Sequence, residues 1–142
     1  MIKKNIFYFE KIEKVVLIGY SAIFEKLIKI NQDYNIDTII ITSSDQAKQI
    51  DKKIKFNIFD KIDEKFNQFV KDNTNPDKTL FLSVGARYIF TTDVVENLFS
   101  NNLINSHGTR LPLGRGEGTS WLILKQDRLD TQLFHIIDNG ID

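Results

Sequence analysis

Short apolar runs separated by amphipathic stretches recur along this chain. The first, "KVVLIGY" (14–20), is continuous and ends in Gly19 then Tyr20. A run of that length without polar alternation reads as a strand buried on both faces, the kind parallel sheets use. "IDTIIIT" (36–42) and "TLFLSVG" (79–85) repeat the pattern, the latter again ending in glycine. Between them, "SAIFEKLIKI" places Ile23, Leu27 and Ile30 at helical spacing, with lysines and Glu25 on the other side. "SSDQ" (43–46) predicts a capping box opening a short helix, and "KFNIF" (55–59) a further short strand. Beyond Asp60, the residues Ile62, Phe66, Phe69 and Val70 mark one helical face, and "NTNPD" (73–77) is a turn cluster. "TTDVVENLF" (91–99) predicts a helix with Val94, Val95, Leu98 and Phe99 inward. "LINSHG" (103–108) begins as a short strand, and "DTQLFHIID" (130–138) alternates as one. "NIFYFE" (5–10) is a candidate edge strand, and "SWLILKQ" (120–126) a candidate apolar helix.

Strands alternating with helices predict βαβ units, hence an α/β fold: a mostly parallel sheet with helices on both faces. Ligands of such sheets sit at the carboxyl ends of the strands. Gly19, Gly85 and the run Asn105-Ser106-His107-Gly108 all fall at predicted strand ends and are expected to share one edge. At 142 residues the chain is one domain, long enough to bury a real core.

Composition narrows the chemistry. The 19 basic and 19 acidic residues cancel, so no whole-chain field draws in nucleic acid or an anionic membrane. Cysteine is absent and only two histidines are present, which excludes disulfides and Cys-ligated metals and leaves little for a His-based metal site. Charged residues from Glu10 to Lys14 interrupt any signal-peptide core, and no apolar run approaches the ~20 residues of a membrane helix. The cytoplasm is the expected location.

The special residues crowd into "LINSHGTRLPLGRGEGTSW" (103–121). "GYSAIF" lacks the second and third glycines of a dinucleotide fingerprint, so Gly19 is expected to make only a tight strand-to-helix turn. Asn105 and His107 lie two apart on an extended chain, hence on one side of it. An amide and an imidazole at a strand end can hold a carbonyl oxygen and manage a proton, as acyl transfer requires. Spacing alone leaves His107 open between that role and a structural one. His135, within an alternating strand, reads as a satisfied, partly buried histidine. "DNGID" (138–142) is a turn by composition, and spacing does not choose between Asp138 and Asp142 as site groups.

Taken together, Asn105-Ser106-His107-Gly108, then "RLP", Arg115-Gly116, Ser120-Trp121 and "DNGID" resemble the folate-dependent formyltransferases. The likeness runs in order and spacing over about residues 80–142, and loosely over the βαβ start. The family pattern is Asn-x-His, Leu-Pro, Arg-Gly, and an Asp about 35 residues later; Asn105, His107 and Asp142 stand in those places. The resemblance implies a Rossmann-like fold and these three as catalytic residues. "SHG-x-x-LP" with a glycine-rich "RG…SW" is similar to the sugar-nucleotide N-formyltransferases. Methionyl-tRNA and glycinamide-ribonucleotide members typically read "HPSLLP" there, and the latter carry a Gly-Ser-Asn phosphate loop that "GYSAIF" lacks. The implied donor is N10-formyltetrahydrofolate, with no metal. The implied acceptor is a nucleotide-linked amino sugar, typically dTDP-linked, feeding O-antigen or other surface polysaccharide (lipopolysaccharide) synthesis. By position, Gly85, Ala86, Arg87, Tyr88, Ile89 and Phe90 would lie along the folate, with Asp138, Asn139 and Gly140 on its other side. Ser106, Gly108, Thr109, Arg110 and Arg115 would meet the acceptor. Glu117 stands where glycine is common in the subgroup.

Family members continue beyond the catalytic Asp into a region used for dimerisation and sugar-nucleotide contacts. Residues 1–142 are therefore expected to be the catalytic, folate-binding domain without that region. The complete protein is expected to be a homodimer, and this form to bind folate with little or no turnover. Alternatives are a methionyl-tRNA formyltransferase, a non-catalytic folate-binding fragment, and an unrelated nucleotide-binding α/β domain.

Overall fold

A computed structural model of the chain describes residues 11–107 and 133–136. In chain order these form β1 (Lys14–Gly19), α1 (Phe24–Asp33), β2 (Asp37–Thr42), α2 (Ser44–Ala47), β3 (Asn57–Ile58) and α3 (Glu64–Asn73). Then come a short 3-10 turn (Pro76–Lys78), β4 (Thr79–Val84), a wide π-type turn (Val94–Leu98), β5 (Leu103–His107) and β6 (Leu133–Ile136). The strands make one six-stranded sheet in the order β3-β2-β1-β4-β5-β6. All pairings are parallel except β5 with β6. The mostly parallel α/β sheet expected from the sequence is what the chain forms.

The apolar runs are strands because each residue parity serves a different core. Val16 and Ile18 of β1 join Ile41, Phe66, Val70, Phe81, Val95, Phe99 and Leu103 on one face. Val15 and Leu17 join Phe24, Ile40 and Ile50 on the other. A strand buried on both faces has no polar parity to show.

The helices follow local signals. Ser43 caps α2 by accepting from the Gln46 amide, and Asp63 caps α3 by accepting from the Lys65 and Phe66 amides. The wide turn at 94–98 replaces the regular helix expected over "TTDVVENLF". Phe99 N–H reaches Val94 O at 3.1 Å, five residues back, and Ser100 (φ 50°) and Asn101 (φ 60°) end it in the left-handed region. Val94, Val95, Leu98 and Phe99 are all buried, as expected.

The inward face of α1 differs from expectation. Ile23 and Ile30 are 42% and 50% exposed, while Phe24 and Asn31 are buried and Leu27 and Ile28 pack beneath. The buried stripe runs 24, 27, 28, 31, one step round from 23, 27, 30. Its last position is polar, and Asn31 is tolerated inside because its amide donates to Thr38 Oγ1 at 2.8 Å. The Asn31 carbonyl accepts the Ile36 amide (2.8 Å) and the Gln32 carbonyl the Asn35 amide (3.0 Å), with Asn35 at φ 55°. That double closure turns the chain directly into β2.

Candidate functional site

Register brings the expected strand ends together. Gly19 is the partner of Val84, Val84 of Ser106, and Ser83 of Asn105. The ends of β1, β4 and β5 therefore lie side by side on the carboxyl edge. Gly19 (φ +105°) holds β1 close to β4: an added Cβ would stand 2.4 Å from Val84 O and 2.6 Å from Ala86 N. Gly85 (φ +60°) turns the chain out of β4. The short turn expected from Gly19 into α1 is present, closed by the Phe24 amide donating to Ser21 O at 3.1 Å, while the Tyr20 amide donates to Val84 O at 3.0 Å and prolongs the pairing with β4.

Asn105 and His107 share one parity of β5 with Leu103, which is fully buried in the core holding Phe81 and Phe99. The two polar residues continue that face past the end of the core. Asn105 is half-buried and His107 is 8% exposed. Ser83, the register partner of Asn105, is also buried. On the other side Asn105 pairs with His135 in antiparallel register.

The segment after β4 alternates. Gly85, Arg87 and Ile89 are exposed, and Ile89 reaches 70% exposure. Ala86, Tyr88 and Phe90 pack against the core. The Tyr88 hydroxyl donates to Phe59 O at 2.5 Å, and its ring meets Phe66 and Phe90. Arg87 Nη1 pairs with Asp45 Oδ2 at 2.8 Å on the surface. Gln46 Nε2 donates to Gly85 O at 2.7 Å. Asp60 accepts the Ser44 amide at 2.8 Å, and that bond, with help from the Ser44 side chain, holds its carboxyl below the usual range.

Burial, with the Asp60 charge adding to it, pushes the Tyr88 phenol up to about 12. A folded value above the ordinary tyrosine value of about 10 gives stability that is complete below about pH 10 and lost as pH rises towards 12. Tyr88→Phe is expected to lower stability at neutral pH by about 1 kcal/mol, through the orphaned Phe59 carbonyl. It is also expected to flatten the alkaline decline. Urea unfolding at pH 7 and pH 11 measures both; an unchanged alkaline slope would remove Tyr88 as its source.

Of the residues singled out from sequence, the structure brings Asn105, Ser106, His107 and Gly85 to Phe90 to one sheet edge. Asp142, Asp138, Asn139, Gly140, Gly108, Thr109, Arg110 and Arg115 lie outside the described residues, as do the expectations for 5–10 and 120–126. Sequence reasoning missed Gln46 as more than a local cap, and missed Ser83 beside Asn105. Among the described residues no cluster of three or more His, Asp or Glu could hold a metal ion, and no helix is long and apolar enough to cross a membrane.

No protein-family model and no curated protein matches the chain. Solved structures do. A sugar N-formyltransferase from Shewanella sp. matches with TM-score 0.66 and 17% identity, covering 91% of this chain and 52% of that one. The formyltransferase PseJ from Anoxybacillus kamchatkensis, in complex with UDP-4,6-dideoxy-4-formamido-L-AltNAc and tetrahydrofolate, matches with TM-score 0.57 and 25% identity over 91% of this chain and 55% of that one. Phosphoribosylglycinamide formyltransferase from Bacillus halodurans matches with TM-score 0.69 and 14% identity over 91% and 74%. The chain spans about half the length of the two sugar-type enzymes it matches. The chain thus has the formyltransferase fold, and sugar N-formyltransferases are among the proteins it is structurally similar to.

Proposed function

We propose that the chain is the catalytic domain of a cytoplasmic sugar-nucleotide N-formyltransferase. It would move a formyl group from N10-formyltetrahydrofolate to the amine of a nucleoside-diphosphate amino sugar. The carrying observation is the juxtaposition, on one sheet edge, of Asn105 and His107 with the outward-turned segment 85–90. That segment offers main chain and the exposed Ile89 to a flat heteroaromatic ring. The complex of PseJ with tetrahydrofolate and a formamido sugar nucleotide supports both substrate classes. The "SHG-x-x-LP" run and the missing phosphate loop after β1 support the sugar acceptor over glycinamide ribonucleotide. A dTDP-linked acceptor destined for surface polysaccharide, and a homodimeric complete protein, belong to the same reading.

In the mechanism, the neutral sugar amine attacks the formyl carbon, and the new N–C bond gives a tetrahedral intermediate with a developing oxyanion. Asn105 donates a hydrogen bond to that oxygen, and an N–H of His107 donates another. Asp142 orients the imidazole and passes the amine proton, through water, to N10 as the C–N10 bond breaks. The test is a formyl-transfer assay of the complete gene product against dTDP- and UDP-linked amino sugars, with phosphoribosylglycinamide and methionyl-tRNA as further acceptors. A sugar product heavier by one CO unit is expected, since the formyl group replaces one amine hydrogen. Turnover only with either of the other acceptors would replace this reading, and tetrahydrofolate binding without turnover would leave a folate-binding domain.

A further inference from the structure

A glutamine in a capping box ordinarily turns back on its own helix start. Gln46 does something else. It is 6% exposed, and both ends of its amide are engaged. The Ser43 hydroxyl accepts the Gln46 main-chain amide and donates to Gln46 Oε1, both at 3.3 Å. With Oε1 taken by a donor, Nε2 faces the other way and donates to Gly85 O at 2.7 Å, 39 residues along the chain. Gly85 is the left-handed hinge at which the chain leaves β4 for the segment 86–90. The other tie between α2 and this segment, Arg87 to Asp45, joins side chains 63% and 56% exposed and holds little.

We infer that Gln46 is a positioning residue that sets the segment 85–90 as a folate-binding edge, by pinning the Gly85 carbonyl to the start of α2. The inference rests on the folate reading above. Inward Tyr88 and Phe90 fix the far end of the segment through the core; Gln46 fixes the near end, where the chain has no side chain of its own to anchor it. A shift at the hinge moves every outward group that follows, Ile89 included.

The test uses Gln46→Met, which keeps length and helix propensity but has no donor, and Gln46→Glu, which sets a carboxylate against the carbonyl. NMR order parameters of the amides 86–90 are expected to fall in both, because the Gly85 carbonyl loses its tie to α2. Amides of β1 and α3 should keep their wild-type values. Tetrahydrofolate affinity by calorimetry should fall roughly tenfold, the worth of about one hydrogen bond. In the complete gene product KM for the donor should rise with kcat within about twofold, the signature of lost uniform binding. Unchanged order parameters at 86–90, or a uniform fall throughout the sheet, would overturn the positioning role. Wild-type protein that binds no tetrahydrofolate, with 86–90 still loosened in the variants, would instead overturn the folate reading and with it the substrate half of this inference.

Discussion

Asn105→Ala is expected to lower formyl transfer by the complete gene product about 100-fold or more, the usual cost of removing one oxyanion donor. Asn105 is half-buried in the middle of β5, and the pairing with β4 and β6 is made by main chain, so shortening its side chain leaves that pairing in place. The loss should fall on kcat and kcat/KM together, because the contact forms only as charge develops on the formyl oxygen. Tetrahydrofolate affinity should stay near wild type. His107→Ala is expected to lose at least as much, since the imidazole serves both the oxyanion and the proton path. His107 is buried, and its truncation also opens space beside the core. His107→Gln, which fills that space and keeps a donor, separates the two causes: recovered stability without recovered turnover assigns the loss to chemistry. Near wild-type turnover in Asn105→Ala or His107→Ala would end the assignment of that residue.

The strands were legible because their signal is local. "KVVLIGY", "IDTIIIT" and "TLFLSVG" have no polar parity, and a doubly covered sheet is what gives apolar residues of both parities a place against a core. The shared edge of Gly19, Gly85 and Asn105 followed from the same reasoning, since parallel strands put all their carboxyl ends together. The face of α1 was not legible. "AIFEKLIKI" carries two overlapping apolar stripes, and the choice between them rests on Asn31, a polar residue whose burial depends on Thr38 in another element. Hydropathy counts cannot see that bond.

The same limit applies at the site. Period-two spacing puts Asn105 and His107 on one side of β5, and the structure continues that side from the Leu103 core. The hydrogen bond from Gln46 to Gly85 spans 39 residues and two elements, so a local motif announces only its first half, the cap on α2. The alternation of 85–90 carried a clue in its composition. Ala86, Tyr88 and Phe90 are the larger apolar parity, and they face the core; Gly85, Arg87 and Ile89 are left for solvent or ligand.

The second large effect expected is on folding. Gly19→Ala should destabilise the domain by about 2–6 kcal/mol, from two separate costs. A non-glycine residue at φ +105° carries strain of roughly 1–3 kcal/mol. The new Cβ would also lie 2.4 Å from Val84 O and 2.7 Å from the Ala86 Cα, all of it main chain. Main chain cannot rotate aside as a side-chain tip can, so β1 and β4 must part at their ends, and overpacking of that kind costs about 1–3 kcal/mol more. The strain is local to the edge that carries the candidate site, because Ala86 opens the segment 86–90. Urea unfolding should therefore show a lowered midpoint with little change in slope, while hydrogen exchange quickens first at the ends of β1 and β4. A loss below about 1 kcal/mol would mean that the edge yields easily. The separation of β1 from β4 would then not be what holds the hinge at Gly85 in place.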